Sequence, residues 1–206
     1  MTLLIYYLWF SNSFTYYALS LNSNDLAGGD HPLLNFFLMG LVEAPSYLVA
    51  IYLVRIFGSR RVLLASTLAA GLFCWATPLA TAYHPNLGVA AALAGKFAVT
   101  TSYSLVYVYT TEVFPTVVRT IALGSGGVVA RFGSMSAPYL GALTAATSYG
   151  FSMAVVGAIS ILAAVAIFPL EELSGTDMPD RPEDIERAKS GNENIVSMTP
   201  NTEDDD

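Results

Sequence analysis

The run from Gly88 to Thr111, GVAAALAGKFAVTTSYSLVYVYTT, decides how this chain has to be read. A helix needs about 20 predominantly apolar residues to cross the hydrocarbon core of a bilayer, and this run supplies them. Its one charged residue is Lys96. Lys96, Thr100, Tyr103 and Tyr107 fall at i, i+4, i+7 and i+11, which is a single helical face. A stripe of ammonium, hydroxyl and two phenols does not suit lipid, so the helix has a side that turns to protein or to a cavity.

Five further spans of this kind flank it: about Leu3–Leu21, Leu33–Phe57, Val62–Tyr83, Ile121–Thr147 and Phe151–Pro169. Loop punctuation separates them, as in NSNDLAGGDHP at 22–32 and HPN at 84–86. Lipid offers backbone groups no outside partner, so the expected form is helical throughout. The expected fold is an all-α membrane protein of six transmembrane helices over residues 1–169. Residues 170–206 are expected to form an acidic, disordered cytoplasmic tail.

Charge supports that division. From Leu170 onward there are twelve acidic and three basic residues, a net of −9, whereas the first 169 residues carry +2. The overall −7 therefore describes the tail, and no basic patch supports nucleic-acid binding. The loops around 22–32, 84–87 and 147–150 contain no Lys or Arg. The alternate connections hold Arg55, Arg60, Arg61 and Arg119, and the tail adds Arg181, Arg187 and Lys189, so that side is expected to be cytoplasmic.

The single cysteine, Cys74, excludes an internal disulfide and a cysteine-clustered metal site. His31 and His84 each adjoin a proline and read as solvated loop residues. No Gly-rich phosphate loop precedes Gly95-Lys96, so an ATP-driven pump is not indicated. No Ser-His-acid set or metal cluster points to an enzyme, and no cofactor is expected.

Ionisable residues in or at the ends of spans carry the functional reading: Glu43, Lys96, Glu112 and Arg131. Each charge at mid-membrane costs roughly 2.5–3.5 kcal/mol, so such groups face a protein interior or a watery cavity. For Glu43 an internal ion pair that only holds helices together is an equal alternative. Around Arg131 the helical neighbours are Gly124, Gly127, Ser134 and Pro138, a face with little side-chain bulk. Small residues there also permit close helix packing. The first span adds Trp9, Ser13, Tyr16 and Tyr17, and Ser104 stands beside Tyr103. Aromatic faces with hydroxyl rims suit the ammonium group of an organic solute, and Arg131 suits a carboxylate on it.

The segment GKFAVTTSYSLVYVYTTEVFPTVVRT, Gly95 to Thr120, resembles the tenth transmembrane helix and following loop of organic cation, anion and carnitine transporters of the major facilitator superfamily. GLVEAPSYL, with Glu43, and WFSNSFTYYALSL extend the resemblance, which covers residues 7–180. It implies that the six spans are the family's seventh to twelfth, built as 3+3 inverted repeats. Glu112 and Arg119 would then bracket a gating loop, and Arg60 and Arg61 in FGSRRVLL resemble the superfamily's basic inter-helix loop. Val54 departs there from the usual acid. Glu172, Gly175, Pro179 and Asp180 resemble the family's closing motif, with Glu171 in place of a proline.

Cation-selective members have aspartate at the place of Arg131, whereas anion and carnitine-type members have arginine. The resemblance therefore implies small organic ion substrates, carnitine-like zwitterions above all. It also implies a missing N-terminal six-helix half, supplied by a longer chain or by a second one. The alternative is a non-transporting membrane protein that binds a full-length relative.

Overall fold

The computed structural model describes residues 2–21, 32–168 and 170. They form seven helices: α1 (Thr2–Leu21), α2 (Pro32–Phe57), α3 (Ser59–Tyr83), α4 (Pro85–Val113), α5 (Thr116–Ser136), α6 (Pro138–Ala146) and α7 (Tyr149–Ile167). The tail beyond Leu170, the loop at 22–31 and His31 lie outside the described residues. His84 is exposed at the α3–α4 turn.

The joints follow from local chemistry. Gly58 links α2 to α3 at φ 84°, a conformation that side chains with a Cβ rarely adopt. His84 is extended, as the residue before a proline tends to be, and Pro85 opens α4 where a missing N–H leaves no bond unmade. Phe114 and Pro115 repeat that arrangement before α5. Ser148 caps α7 by accepting a bond from the Phe151 N–H at 3.3 Å.

The fifth span, expected as one helix over Ile121–Thr147, is instead two. Pro138 has no N–H to donate, and its ring crowds the Ser134 carbonyl. The Ala137 N–H turns to Ser134 O at 3.3 Å, three residues back, while Ser134 and Ser136 hydroxyls bond the carbonyls of Arg131 and Phe132. The Ala137 bond thus takes up the carbonyl that Pro138 leaves without its usual donor.

Among the described residues, four helical stretches are long and apolar enough to cross a membrane: Phe37–Phe57, Ser59–Tyr83, Asn86–Val113 and Tyr149–Ile167. The other two expected spans are more polar. α1 carries Ser11, Asn12, Ser13 and Thr15 through its middle, all buried against neighbouring helices. The fifth carries Arg131 and is divided.

The bundle has the internal symmetry of an inverted repeat. Exchanging the first three spans for the last three carries α1 onto α4, α2 onto α5–α6 and α3 onto α7. The principal contacts follow: α1 with α5 goes to α4 with α2, and α1 with α7 goes to α4 with α3. The α1–α4 and α3–α7 pairs map onto themselves. Buried hydroxyl pairs repeat as well. Thr15 meets Ser160 at 2.8 Å between α1 and α7, and Ser102 meets Thr67 at 2.7 Å between α4 and α3.

α3 and α7 cross where Gly71 and Gly157 face each other, and the Trp75 indole N–H donates to Ala154 O at 3.0 Å. Cys74 is fully buried beside this crossing. α1 and α4 run through the middle of the bundle, flanked by α2 and α5.

Candidate functional site

Two of the charges within the spans meet. Lys96 in α4 lies 2.9 Å from Glu43 Oε1 in α2, and its ammonium donates to Ser20 Oγ of α1 at 2.6 Å. It also sits 3.2 Å from the ring centroid of Tyr16. The Tyr16 hydroxyl donates to the same Glu43 oxygen at 2.5 Å. An ammonium has three donors, and these three neighbours account for them. Lys96 is fully buried, while the Glu43 side chain keeps 26% of its surface exposed.

Around this pair the aromatic residues of two helices close into one cluster. Tyr16 lies 5.8 Å from Tyr103 and 5.3 Å from Tyr17, centroid to centroid. Tyr103 lies 5.7 Å from Tyr107, and Trp9 stands edge-on to Tyr107 at 4.4 Å. Separations and tilts of this kind let the positive ring edge meet a negative ring face. Tyr107 is exposed on one side of the cluster, and Tyr47, one turn beyond Glu43, is exposed as well.

Trp9 is enclosed. It has no exposed surface, and its indole N–H donates to Thr110 Oγ1 at 3.1 Å. Its ring rests on Gly126, where an added Cβ would come within 2.7 Å. The shift along the chain that carries Thr15 onto Ser102 also carries Trp9 onto Lys96 and Tyr16 onto Tyr103. The two repeats thus place a ring against a glycine at one point and an ammonium against a carboxylate at its counterpart.

Ser104 stands apart from the stripe. Its hydroxyl bonds Thr101 O at 2.8 Å, and it lines a groove of about 380 Å³ between α2 and α4 with Tyr47, Ile51, Arg55 and Val108.

On α5 the glycines divide into two faces. Gly126 and Gly133 pack on α1, and an added Cβ at Gly133 would lie 2.5 Å from Phe10 O. Gly124 and Gly127 meet nothing within 4 Å. Arg131 is exposed on that uncovered side, in the middle of the stretch formed by α5 and α6. Close packing therefore accounts for one pair of glycines and leaves the pair beside Arg131 facing open space.

The remaining charges lie at one end of the bundle. Glu112, in the last turn of α4, accepts a hydrogen bond from the Ser59 hydroxyl at the start of α3. Gly58 offers that helix no side-chain cap, so the carboxylate sits where the helix dipole is positive. Arg60 donates from Nη2 to Phe168 O at 2.6 Å, closing the C-terminal end of α7. Arg61 is exposed one residue further, and Arg119 lies in the first turn of α5.

Sequence periodicity places Lys96, Tyr103 and Tyr107 on one face but names no partner for them. Ser20 and Tyr47 carried no signal beyond spacing, one turn from Tyr16 and Glu43 respectively. That spacing, read together with the charges, is what could have found them.

Residues 1–200 match the Major Facilitator Superfamily. The "Organic cation transporter protein" of Drosophila melanogaster is 38% identical over 185 residues, 90% of this chain and 33% of that protein. Human "Solute carrier family 22 member 16" is 35% identical over 196 residues, 95% of this chain and 33% of that one. Mouse "Organic cation/carnitine transporter 2" is 33% identical over 191 residues, 91% and 33% respectively. The chain thus spans about a third of the length of these curated relatives.

Proposed function

Since the chain belongs to the major facilitator superfamily, we propose that it is the second six-helix half of a transporter that moves small organic ions by alternating access. The substrates are carnitine-like zwitterions, with organic cations and anions as the wider class. The other half of the wall comes from six preceding helices or from a second chain. Residues 1–169 form the membrane unit and residues 170–206 a cytoplasmic tail, in the plasma membrane.

One observation carries this reading: a carboxylate, an ammonium and a ring of tyrosines meet inside the helix bundle with Glu43 open on one side. Charges at membrane depth face a protein interior or a watery cavity, and the exposed side of Glu43 fits the cavity. Glu43 with Tyr16, Tyr47, Tyr103 and Tyr107 suits the cationic end of a solute. Arg131, on a face cleared by Gly124 and Gly127, suits a carboxylate through paired hydrogen bonds. Lys96, Tyr17 and Trp9 complete the site as supporting groups behind the open face, and Ser104 lines the neighbouring groove between α2 and α4. Glu112, Arg60, Arg61 and Arg119 form the contacts that open and close its cytoplasmic end.

Uptake of labelled carnitine and of an organic anion by the full-length protein in cells tests the role of Arg131. Arg131→Asp is expected to lower both by about tenfold or more, the worth of a charge-assisted pair. Unchanged uptake with normal surface expression would remove Arg131 from the substrate path. A tag inserted at Gly28 should be reached by antibody on intact cells. Labelling that requires permeabilisation would reverse the orientation.

A further inference from the structure

Every side of the Lys96 ammonium is taken, and what takes it is what a cationic solute needs. The Tyr16 ring supplies a π face at 3.2 Å and Glu43 Oε1 a counter-charge at 2.9 Å. The Lys96 ammonium and the Tyr16 hydroxyl both meet the Glu43 carboxylate at Oε1. The Glu43 side chain is nonetheless the exposed member of the pair, at 26% against 1% for Lys96. A solute cation arriving from the open side therefore reaches the carboxylate before it reaches the ammonium.

One carboxylate balances one cation. Two ammonium groups held at contact distance of Glu43 would repel each other in a medium that screens poorly. We infer that the Lys96 ammonium is a tethered occupant of the cation subsite, lodged between the Tyr16 ring and the Glu43 carboxylate until a substrate cation displaces it. The inference rests on the reading of Glu43 and Tyr16 as the cationic end of the site.

The chemistry of the displacement is an exchange of partners. A quaternary ammonium has no N–H, so it takes the charge of Glu43 and the ring of Tyr16 but has no use for Ser20. Lys96 keeps its bond to Ser20 and swings on four methylenes away from the ring. Lys96 then sets affinity by competition. Without a solute the charge is balanced within the protein, and only a solute that outcompetes a tethered amine takes the subsite.

The test uses tetramethylammonium as probe and the full-length protein in lipid nanodiscs. In protein labelled on lysine, the Lys96 side-chain resonance, assigned by its loss in Lys96→Arg, is expected to be displaced by the Tyr16 ring current. Saturating probe should move it to an ordinary position along the same curve that equilibrium dialysis gives for binding. Removing the tethered competitor by Lys96→Met should tighten probe binding by about tenfold, the scale of a desolvated cation–ring contact.

Probe that binds while the Lys96 resonance stays in place overturns the inference and spares the subsite. Binding that is unchanged or weaker in Lys96→Met also overturns it. Absence of probe binding in both proteins overturns the inference and the reading of Glu43 beneath it. Should Lys96→Met fail to fold, the resonance of the wild-type protein decides alone.

Discussion

Glu43→Gln is expected to destabilise the protein by about 3–5 kcal/mol, the usual loss when a buried ion pair keeps only one of its charges. The two members of the pair are not equivalent. The Lys96 side chain is 1% exposed, so without Glu43 its ammonium is left with the Ser20 hydroxyl and the Tyr16 ring. The reverse change, Lys96→Met, leaves a carboxylate that is 26% exposed and still bonded by the Tyr16 hydroxyl. That charge can recruit water, and the methionine stem refills the space along α4. Lys96→Met should therefore cost markedly less than Glu43→Gln. The double variant should recover most of the larger loss, because no charge remains to be solvated. A detergent unfolding titration in bicelles on the four proteins measures this cycle. Equal losses for the two single variants would mean that Lys96 and Glu43 are equally wet, against the burial described above.

The fold was legible because its main signal is length. Runs of apolar residues near the thickness of a bilayer, divided by His84-Pro85 and Phe114-Pro115, gave helices whose observed bounds lie close to those expected. The break at Pro138 was missed for a physical reason. Pro45 and Pro78 sit inside unbroken helices, so proline alone does not decide. At Pro138 the Ala137 N–H turns to Ser134 O three residues back, and the helix restarts, whereas Ser46 and Thr77 make the same backward side-chain bonds beside Pro45 and Pro78 without a break.

The candidate site was half legible. A face at helical spacing gathered Lys96, Tyr103 and Tyr107, but spacing within one helix cannot say which helix will lie opposite. The meeting of Lys96 with Glu43 depends on how α2 is rotated and shifted against α4, which is set by packing along their whole length. The same limit applies to Trp9. Its place among aromatic residues suggested an open face, whereas its indole is sealed between Thr110 and Gly126. Spacing set Gly124 and Gly127 on the face of Arg131, but that this face is open while Gly126 and Gly133 touch α1 depends on the neighbouring helix.

That separation predicts opposite outcomes from glycine substitutions on a single helix. Gly133→Ala should prevent α1 and α5 from docking, and the protein should lose most of its folded yield. Its Cβ would stand 2.5 Å from Phe10 O and 3.2 Å from Phe14 N, and both are backbone atoms that no rotamer change can move. The helices would have to part, lifting the Trp9 ring from Gly126 and breaking the bond from Tyr6 to Ser125 at 2.8 Å. Close approach through small residues is the main source of helix attraction in lipid, so a gap there has little to offset it. Gly127→Ala, with nothing within 4 Å, should instead be neutral or stabilising by about 0.5–1 kcal/mol, since alanine is the better helix former. Gly127→Leu should also fold, yet it fills the space one turn from Arg131 and should lower uptake by about tenfold, as misplacement in a binding site does. Folded yield by size-exclusion chromatography and uptake in the same cells separate the cases. Normal folding of Gly133→Ala would mean that α1 and α5 do not approach this closely, and full uptake by Gly127→Leu would place Arg131 off the transport path.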